Sequence, residues 1–323
     1  MSMPAVMQGR LRLPVVAAPL FIISHPPLVI AQCRAGVVGS FPALNARPAE
    51  QLDDWLAEIT ETLTDDDAPF AVNQIVHRSN TRLEHDLEMC VKHKVPIVIT
   101  SLGARPEVNE AVHSYGGIVL HDIINDRFAH KAIEKGADGL IAVATGAGGH
   151  AGTTSPFALV SEIREWFDGP LLLSGSIGNG NSILAAEAAG ADLAYVGSAF
   201  IATHEARAVD GYKQMIADSA SGDIVYSNLF TGVHGNYLRG SIEAAGLDPD
   251  DLPESDPTKM NFGAAADGSN EKKAWRDVWG AGQGIGSVKE VTSTAALVDR
   301  FEREYRDARA RLGLAEEMRE AAE

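Results

Sequence analysis

The sequence predicts an α/β fold, a TIM (β/α)8 barrel with a C-terminal excursion covering the barrel mouth and a terminal helix, on three observations. Eight short apolar runs recur between residues 15 and 196 of the 323-residue chain. The segments between them carry helical spacing, as in PAEQLDDWLAEITETL, RLEHDLEMCVKH, RFAHKAIEKG and NSILAAEAAG. The runs do not alternate apolar with polar residues, which marks strands buried on both faces and therefore parallel. Strand then helix, eight times within about 190 residues, is the pattern of that barrel.

In chain order the predicted strands are Val15–Ala18, Val37–Ser40, Phe70–Asn73, Ile97–Thr100, Gly117–His121, Gly139–Val143, Leu171–Ser174 and Leu193–Val196. An open doubly wound sheet is the structural alternative. Against it, the first strand runs into VVAAP rather than a G-x-G-x-x-G turn. HEARAVDGYKQMIADSA reads as the eighth helix. The following stretch is rich in turn formers and poorly periodic, with one short helix expected at Ser241–Ala245 and a glycine-rich loop, WGAGQGIGSV, at 279–288. A charged helix from Ala295 to about Arg311 closes the chain, and its Leu297, Phe301 and Tyr305 repeat every four residues, as core packing requires. This divides the chain into a barrel (1–222 with 289–323) and an irregular lid (223–288).

A length of 323 residues and a hydrophobic content of 45% are enough for one large domain of barrel size or two small ones, and a net charge of −17 argues against nucleic acid or an anionic membrane as partner. Cys33 and Cys90 show no metal or redox spacing and are expected to be reduced and buried. No run approaches 18 apolar residues and no signal-like segment opens the chain, so a cytoplasmic location is expected. The oligomeric state is left open.

Chemistry concentrates after the late strands. Gly175, Ser176, Gly178 and Gly180 follow the seventh strand and Gly197 and Ser198 the eighth, where barrels often bind phosphate through backbone amides. A tight turn explains one such loop as well as a ligand does; two in succession favour the ligand. His150 sits among Gly148, Gly149 and Gly152 with little side-chain cover and is the candidate acid or base. His77, His85, His93, His113 and His130 lie on polar helix faces and read as solvated. His121, ending the fifth strand, and His234 are the weaker alternatives as substrate-binding groups. Asp122 could orient a ligand or cap the next helix. Asn73 closes the third strand, where its amide can meet a heterocycle edge or simply form a turn.

Assembled, these residues resemble the nitronate monooxygenase family, FMN-dependent TIM barrels related to the flavin-dependent enoyl-ACP reductase. The resemblance rests on Pro14 to Leu20 in strand one and the F-[GA]-V-N segment Phe70 to Asn73. It continues through Gly148, Gly149, His150 and Gly152, then Ser174 to Gly180 and Val196 to Phe200. It implies bound FMN, with Ala17, Ala18 and Pro19 lining the flavin, Asn73 facing the ring, and Gly175, Ser176, Gly197 and Ser198 holding the phosphate. Gly148, Gly149 and Ser174 complete that site, and Trp279 to Gln283 would pack against the ring. It also implies a small-molecule substrate, O2 as oxidant, and His150 as general base or oxygen-binding group. The chain departs from the family at Ala17–Leu20, at Ser176 and at His121–Asp122. An NAD(P)H-dependent reductase of quinones or enoyl thioesters, and a flavin or phosphate-ligand binder without turnover, are the competing readings.

Overall fold

The computed structural model describes residues 3–255 and 277–314. Its barrel strands are β1 (Val15–Ala17), β2 (Gly39–Pro42), β3 (Phe70–Ile75), β4 (Ile97–Ser101), β5 (Ile118–Ile123), β6 (Gly139–Val143), β8 (Leu171–Ser174) and β9 (Leu193–Val196). A two-residue strand, β7 (Gly149–His150), lies in the loop after β6. Neighbouring barrel strands pair in parallel from β2 round to β1, and the ring closes where Val16 bridges Val38. The second strand begins two residues later than the sequence suggests, because Val38 makes only that bridge while Gly39 to Pro42 pair with β3.

Pleating sends successive side chains to opposite faces. Val16, Ala71, Ile97, Ile99, Leu120, Ile141, Leu172 and Leu193 fill the barrel interior, joined by Met7 from the turn before β1. Val15, Ala17, Val72, Val98 and Val119 face the surrounding helices instead. Both faces are dry, which is why the strands read as unbroken apolar runs.

The outer layer comprises α1 (Pro26–Arg34), α2 (Gln51–Thr62), α3 (Leu83–Lys92), α4 (Pro106–His113), α5 (Asp126–Glu134), α6 (Pro156–Arg164) and α7 (Gly180–Ala188). Two begin at asparagine caps: Asn125 accepts from the Phe128 amide at 3.0 Å and Asn179 from the Ser182 amide at 2.9 Å.

The eighth helix is not where the sequence places it. HEARAVDGYKQMIADSA forms only α9 (Asp210–Asp218), which packs beside α8 (Ser198–Ile201) and the turn Gln283–Ser287. After α10 (Arg239–Ala244) comes α11 (Thr294–Arg311), and this terminal helix fills the place between α7 and α1. Its 18 residues present Leu297, Val298 and Phe301 to the barrel, each worth about 1.5–3 kcal/mol on burial. Gly180 permits the approach: a Cβ there would strike the backbone of Phe301 and Tyr305, and its amide donates to Glu304 at 2.9 Å. Gly180 is thus a helix-packing residue rather than part of a ligand loop.

The intervening chain adds β10 (Ile224–Ser227) and β11 (Gly235–Leu238), an antiparallel pair whose second strand also pairs with β7. The short helix α10 starts two residues before the predicted Ser241. Cys33 and Cys90 are buried and unbridged. Among the described residues no helix is long and apolar enough to cross a membrane, and no cluster of His, Cys, Asp or Glu could hold a metal.

Candidate active site

The carboxyl ends of the strands open into one cavity of about 910 Å³. That is near the top of the ~300–1,000 Å³ range of ligand pockets, room for a large cofactor and a small substrate together. Ala18, Pro19, Asn73, Gly148, Gly149, His150, Ser174, Gly175, Ser176, Gly197, Ser198 and Trp279 line it, as the sequence suggests. They arrive there from β1, β3, the β6 loop, β8, β9 and the late glycine-rich loop.

One wall is built from backbone packed on backbone. A Cβ on Gly148 would meet the Gly282 amide nitrogen at 2.8 Å, and one on Gly284 would meet the Ser176 carbonyl carbon at 2.7 Å. Three loops therefore converge only because side chains are missing where they touch. Ser176 holds φ +58, an uncommon conformation for a residue with a Cβ, and its amide donates to the Gly146 carbonyl at 3.2 Å. The Gly282 amide donates to Ser198 Oγ at 2.8 Å. Such a wall offers peptide groups and small hydroxyls at close range, the donor set that suits a phosphate.

His150 lines the same cavity, two residues beyond Gly148 of this wall. Gly149, at φ +66, turns the chain into β7, and Gly149 and His150 pair with Asn236 and Gly235 of β11. Asn236 Nδ2 donates to the Ala147 carbonyl at 2.6 Å, and Tyr226 donates to the Ala151 carbonyl at 3.0 Å. The histidine loop is thus stitched to the segment after β9. His150 Nε2 lies 2.9 Å from Thr231 Oγ1. Burial pushes its pKa down to about 4, so the imidazole is neutral at pH 7.

The floor of the cavity is polar. Asn73 Nδ2 donates to Ser101 Oγ at 2.7 Å and Ser101 Oγ donates to Asp122 Oδ2 at 2.6 Å. Asp122 is pushed up to about 6, mainly by burial, with the Ser101 hydrogen bond opposing the shift. Tyr195 completes the floor, its phenol pushed well above its ordinary value by burial and by the nearby Asp122. At the rim stand Leu44, Ile22 and the exposed Arg47 and Arg207. The Arg47 guanidinium lies 5.2 Å from the centroid of Phe21.

Four predicted site residues fall elsewhere. Ala17 points outward, since pleating that sends Val16 and Ala18 into the barrel must turn Ala17 toward the helices. His121 is outward for the same reason: buried beside β4, it sits 2.5 Å from Thr100 Oγ1. His234 stacks on Tyr226 at 5.0 Å and lends its carbonyl to the Ala151 amide, outside the cavity lining. Gln283 lies one layer behind the wall, its amide donating to the Gly146 carbonyl at 2.9 Å, while Gly282 and Gly284 on either side line the cavity. Trp279 stacks on Tyr212 at 4.9 Å, forming one flank.

Sequence reasoning missed Ser101, Tyr195 and Thr231. The first two had a readable signal: each continues the inward parity of its strand, one step beyond Ile99 and Leu193. Thr231 had none.

Eight parallel strands and a deep cavity at their carboxyl ends, lined by a glycine-built wall and a neutral imidazole, define an α/β-barrel enzyme with space for a large cofactor. The profile of the nitronate monooxygenase family matches residues 78–304, and the chain belongs to this family of flavin-dependent oxidoreductases. It is 27% identical to the nitronate monooxygenase of Paraburkholderia phytofirmans over 91% of this chain and 93% of that one. Nitroalkane oxidase from Streptomyces ansochromogenes superposes with a TM-score of 0.82 at 24% identity, over 96% of this chain and 100% of that one. FabK from Thermotoga maritima superposes with a TM-score of 0.76 at 21% identity, over 94% and 96%.

Proposed function

We propose that the chain is an FMN-dependent enzyme that oxidises alkyl nitronates, and nitroalkanes after deprotonation, with O2 to carbonyl compounds and nitrite. The observation that carries this reading is that the glycine-built wall and a neutral imidazole line one cavity. The wall fits a monophosphate: Gly175, Gly197 and Ser198 supply amides, and Ser176 and Ser198 hydroxyls, with no acidic side chain among them. Ala18, Pro19, Asn73 and Trp279 line the same cavity and would bound the flavin ring. Bound FMN supplies the electron-transfer chemistry, which no side chain here can.

The chain's own residues do the rest. His150, neutral at pH 7, takes the α-proton of a neutral nitroalkane; a preformed nitronate has none to give. Asn73, its Nδ2 held by the Ile99 carbonyl and Ser101 Oγ, presents its carboxamide oxygen to the ring edge. The segment 223–288 acts as a lid that keeps water from the reacting atoms, with 1–222 and 289–323 as the barrel beneath; its residues 256–276 lie outside the described residues. The substrate is a small molecule and O2 its partner.

Anaerobic mixing of the purified yellow protein tests the reading. Bleaching of the flavin by a nitronate, followed by nitrite release on admitting O2, is the expected result. Bleaching by NADH and not by nitronate would make the protein a reductase instead, and bleaching by neither would leave a binding protein. Heat release and chromatography should yield FMN; an FAD peak would overturn the cofactor assignment.

A further inference from the structure

Asp122 is the one carboxyl among the residues that line the cavity, and the proposed reaction leaves it without a task. It continues the inward parity of β5, one step beyond Leu120. The hydrogen bonds that reach it run in one direction. Asn73 Nδ2 donates to the Ile99 carbonyl at 3.1 Å and to Ser101 Oγ at 2.7 Å. Ser101 gives its single proton to Asp122 Oδ2 at 2.6 Å. Two acceptor atoms are left over: among the described residues neither Asn73 Oδ1 nor Asp122 Oδ1 receives a hydrogen bond. No cation balances the carboxyl, because the guanidiniums of the lining, Arg47 and Arg207, stand at the rim.

The polar edge of a flavin ring carries one N–H flanked by carbonyl oxygens. Asn73 Oδ1 suits the N–H. Asp122 suits a neighbouring carbonyl only when it carries a proton, since an ionised carboxylate can only accept. We propose that Asp122 is a proton-bearing carboxyl that donates to a carbonyl of the ring's polar edge, taking its proton from solvent as the ring gains negative charge. The assignment rests on the reading that a flavin ring lies against Asn73. A carboxylate beside that edge would oppose the added charge, whereas a carboxylic acid stabilises it; reoxidation returns the proton to solvent. The acid form is within reach near neutrality, because burial already raises Asp122 to about 6. Its titratable neighbours do not compete for the proton. Tyr195 on β9 is pushed up by burial and by Asp122 itself, so it stays protonated. His150, beyond β6, is lowered to about 4, and His121 faces the helices from the other side of β5. From β3 and β4 come only the uncharged Asn73 and Ser101.

The test measures reduction potentials of the flavin-loaded protein, titrated anaerobically with dithionite against reference dyes between pH 5 and 9. Wild type and Asp122→Asn should agree below pH 6, where both side chains are neutral. Above pH 6 the wild-type potential should fall more steeply, by one further proton per two electrons. At pH 8 the reduction equilibrium should then favour the variant by about tenfold or more, the effect of one like charge nearby. Infrared difference spectra of the wild type at pH 7 should show a protonated-carboxyl band appearing on reduction, a measurement that needs no variant. Parallel or coincident potential curves would overturn the assignment, and so would reduction without that band. A merely structural Asp122 would change melting temperature or flavin content in the variant and leave the pH slope of the potential alone. If the curves diverge but no nitronate bleaches the flavin, the proposed function fails and this assignment stands. If nitronate bleaches it and the curves coincide, this assignment fails alone.

Discussion

His121 and His150 share a threonine partner and a lowered pKa but sit in different places. Each is bonded to a threonine hydroxyl, His121 to Thr100 at 2.5 Å and His150 to Thr231 at 2.9 Å. Burial pushes each down to about 4. His121, however, lies on the outward parity of β5 among helices, whereas His150 lines the cavity beyond β6. A displaced pKa records burial, and burial serves a core histidine as well as a catalytic one. The face of the strand decides between them.

Replacing each histidine by asparagine breaks the comparison most sharply. His150→Asn keeps a hydrogen-bonding side chain but no base, so kcat/KM for a neutral nitroalkane should fall by about 10²–10⁴. The loss on the matching nitronate should be far smaller. His121→Asn should leave the ratio of the two substrates unchanged and lower unfolding free energy in urea by about 1–3 kcal/mol, through the Thr100 bond. Equal losses on both substrates in His150→Asn would make it a second His121.

Two glycines extend the contrast from side chains to loops. Gly175 lines the cavity and Gly180 meets α11. Gly175 holds φ +138 and a Cβ there would meet the Thr145 carbonyl at 2.7 Å, so Gly175→Asp distorts the loop and adds a negative charge beside the phosphate position; flavin content should drop at least tenfold by absorbance while far-ultraviolet dichroism persists. Gly180→Ala should cost about 1–3 kcal/mol of stability through overpacking and keep flavin in every folded molecule. Full flavin occupancy in Gly175→Asp would remove that loop from the phosphate site.

The smallest expected effect is in pH dependence. Both histidines have folded values below the unfolded value of about 6.5, so the unfolded chain binds their protons first. Their contribution to stability is whole above pH 6.5 and is lost as pH falls toward 4. Asp122, raised to about 6, binds its proton first in the folded state, so its contribution grows as pH falls from about 6 to 4. The carboxyl offsets part of what the imidazoles lose. Asp122→Asn should therefore steepen the acid-side fall of urea midpoints between pH 6 and 4, and His121→Asn should shallow it. Parallel curves for all three proteins would show that these groups are not buried as described.

The barrel was legible because its chemistry is local. A strand dry on both faces must read as an apolar run, and all eight such runs became strands. Which side chains enter the cavity was legible only partly. Asn73, Gly175 and Ser198 follow from position at a strand end, but Ala17 and His121 needed parity, which apolar runs conceal because both faces carry the same residue types. The eighth helix was misread because 204–220 and 294–311 both have helical spacing. The choice between them depends on which can fill a groove between α7 and α1, and an 18-residue helix with a full apolar stripe does so where a nine-residue one cannot. Thr231 was illegible for a plainer reason: its contact with His150 exists only once β7 and β11 have met.

The terminal helix also sets a timetable. A ribosome completes β9 at Val196, but the helix that seals the seam between α1 and α7 begins at Thr294, after residues 197–293 have emerged. At about 5–20 residues per second, the growing chain spends several seconds with that seam bare. Apolar surface on Phe200, which later meets Phe301 edge-on at 6.3 Å, is uncovered throughout. A chain cut before Thr294 would stay in that condition and be prone to stick to its own kind or to chaperones. Once sealed, the seam holds both ends of the long excursion in place, so lengthening or shortening that excursion carries little entropic cost.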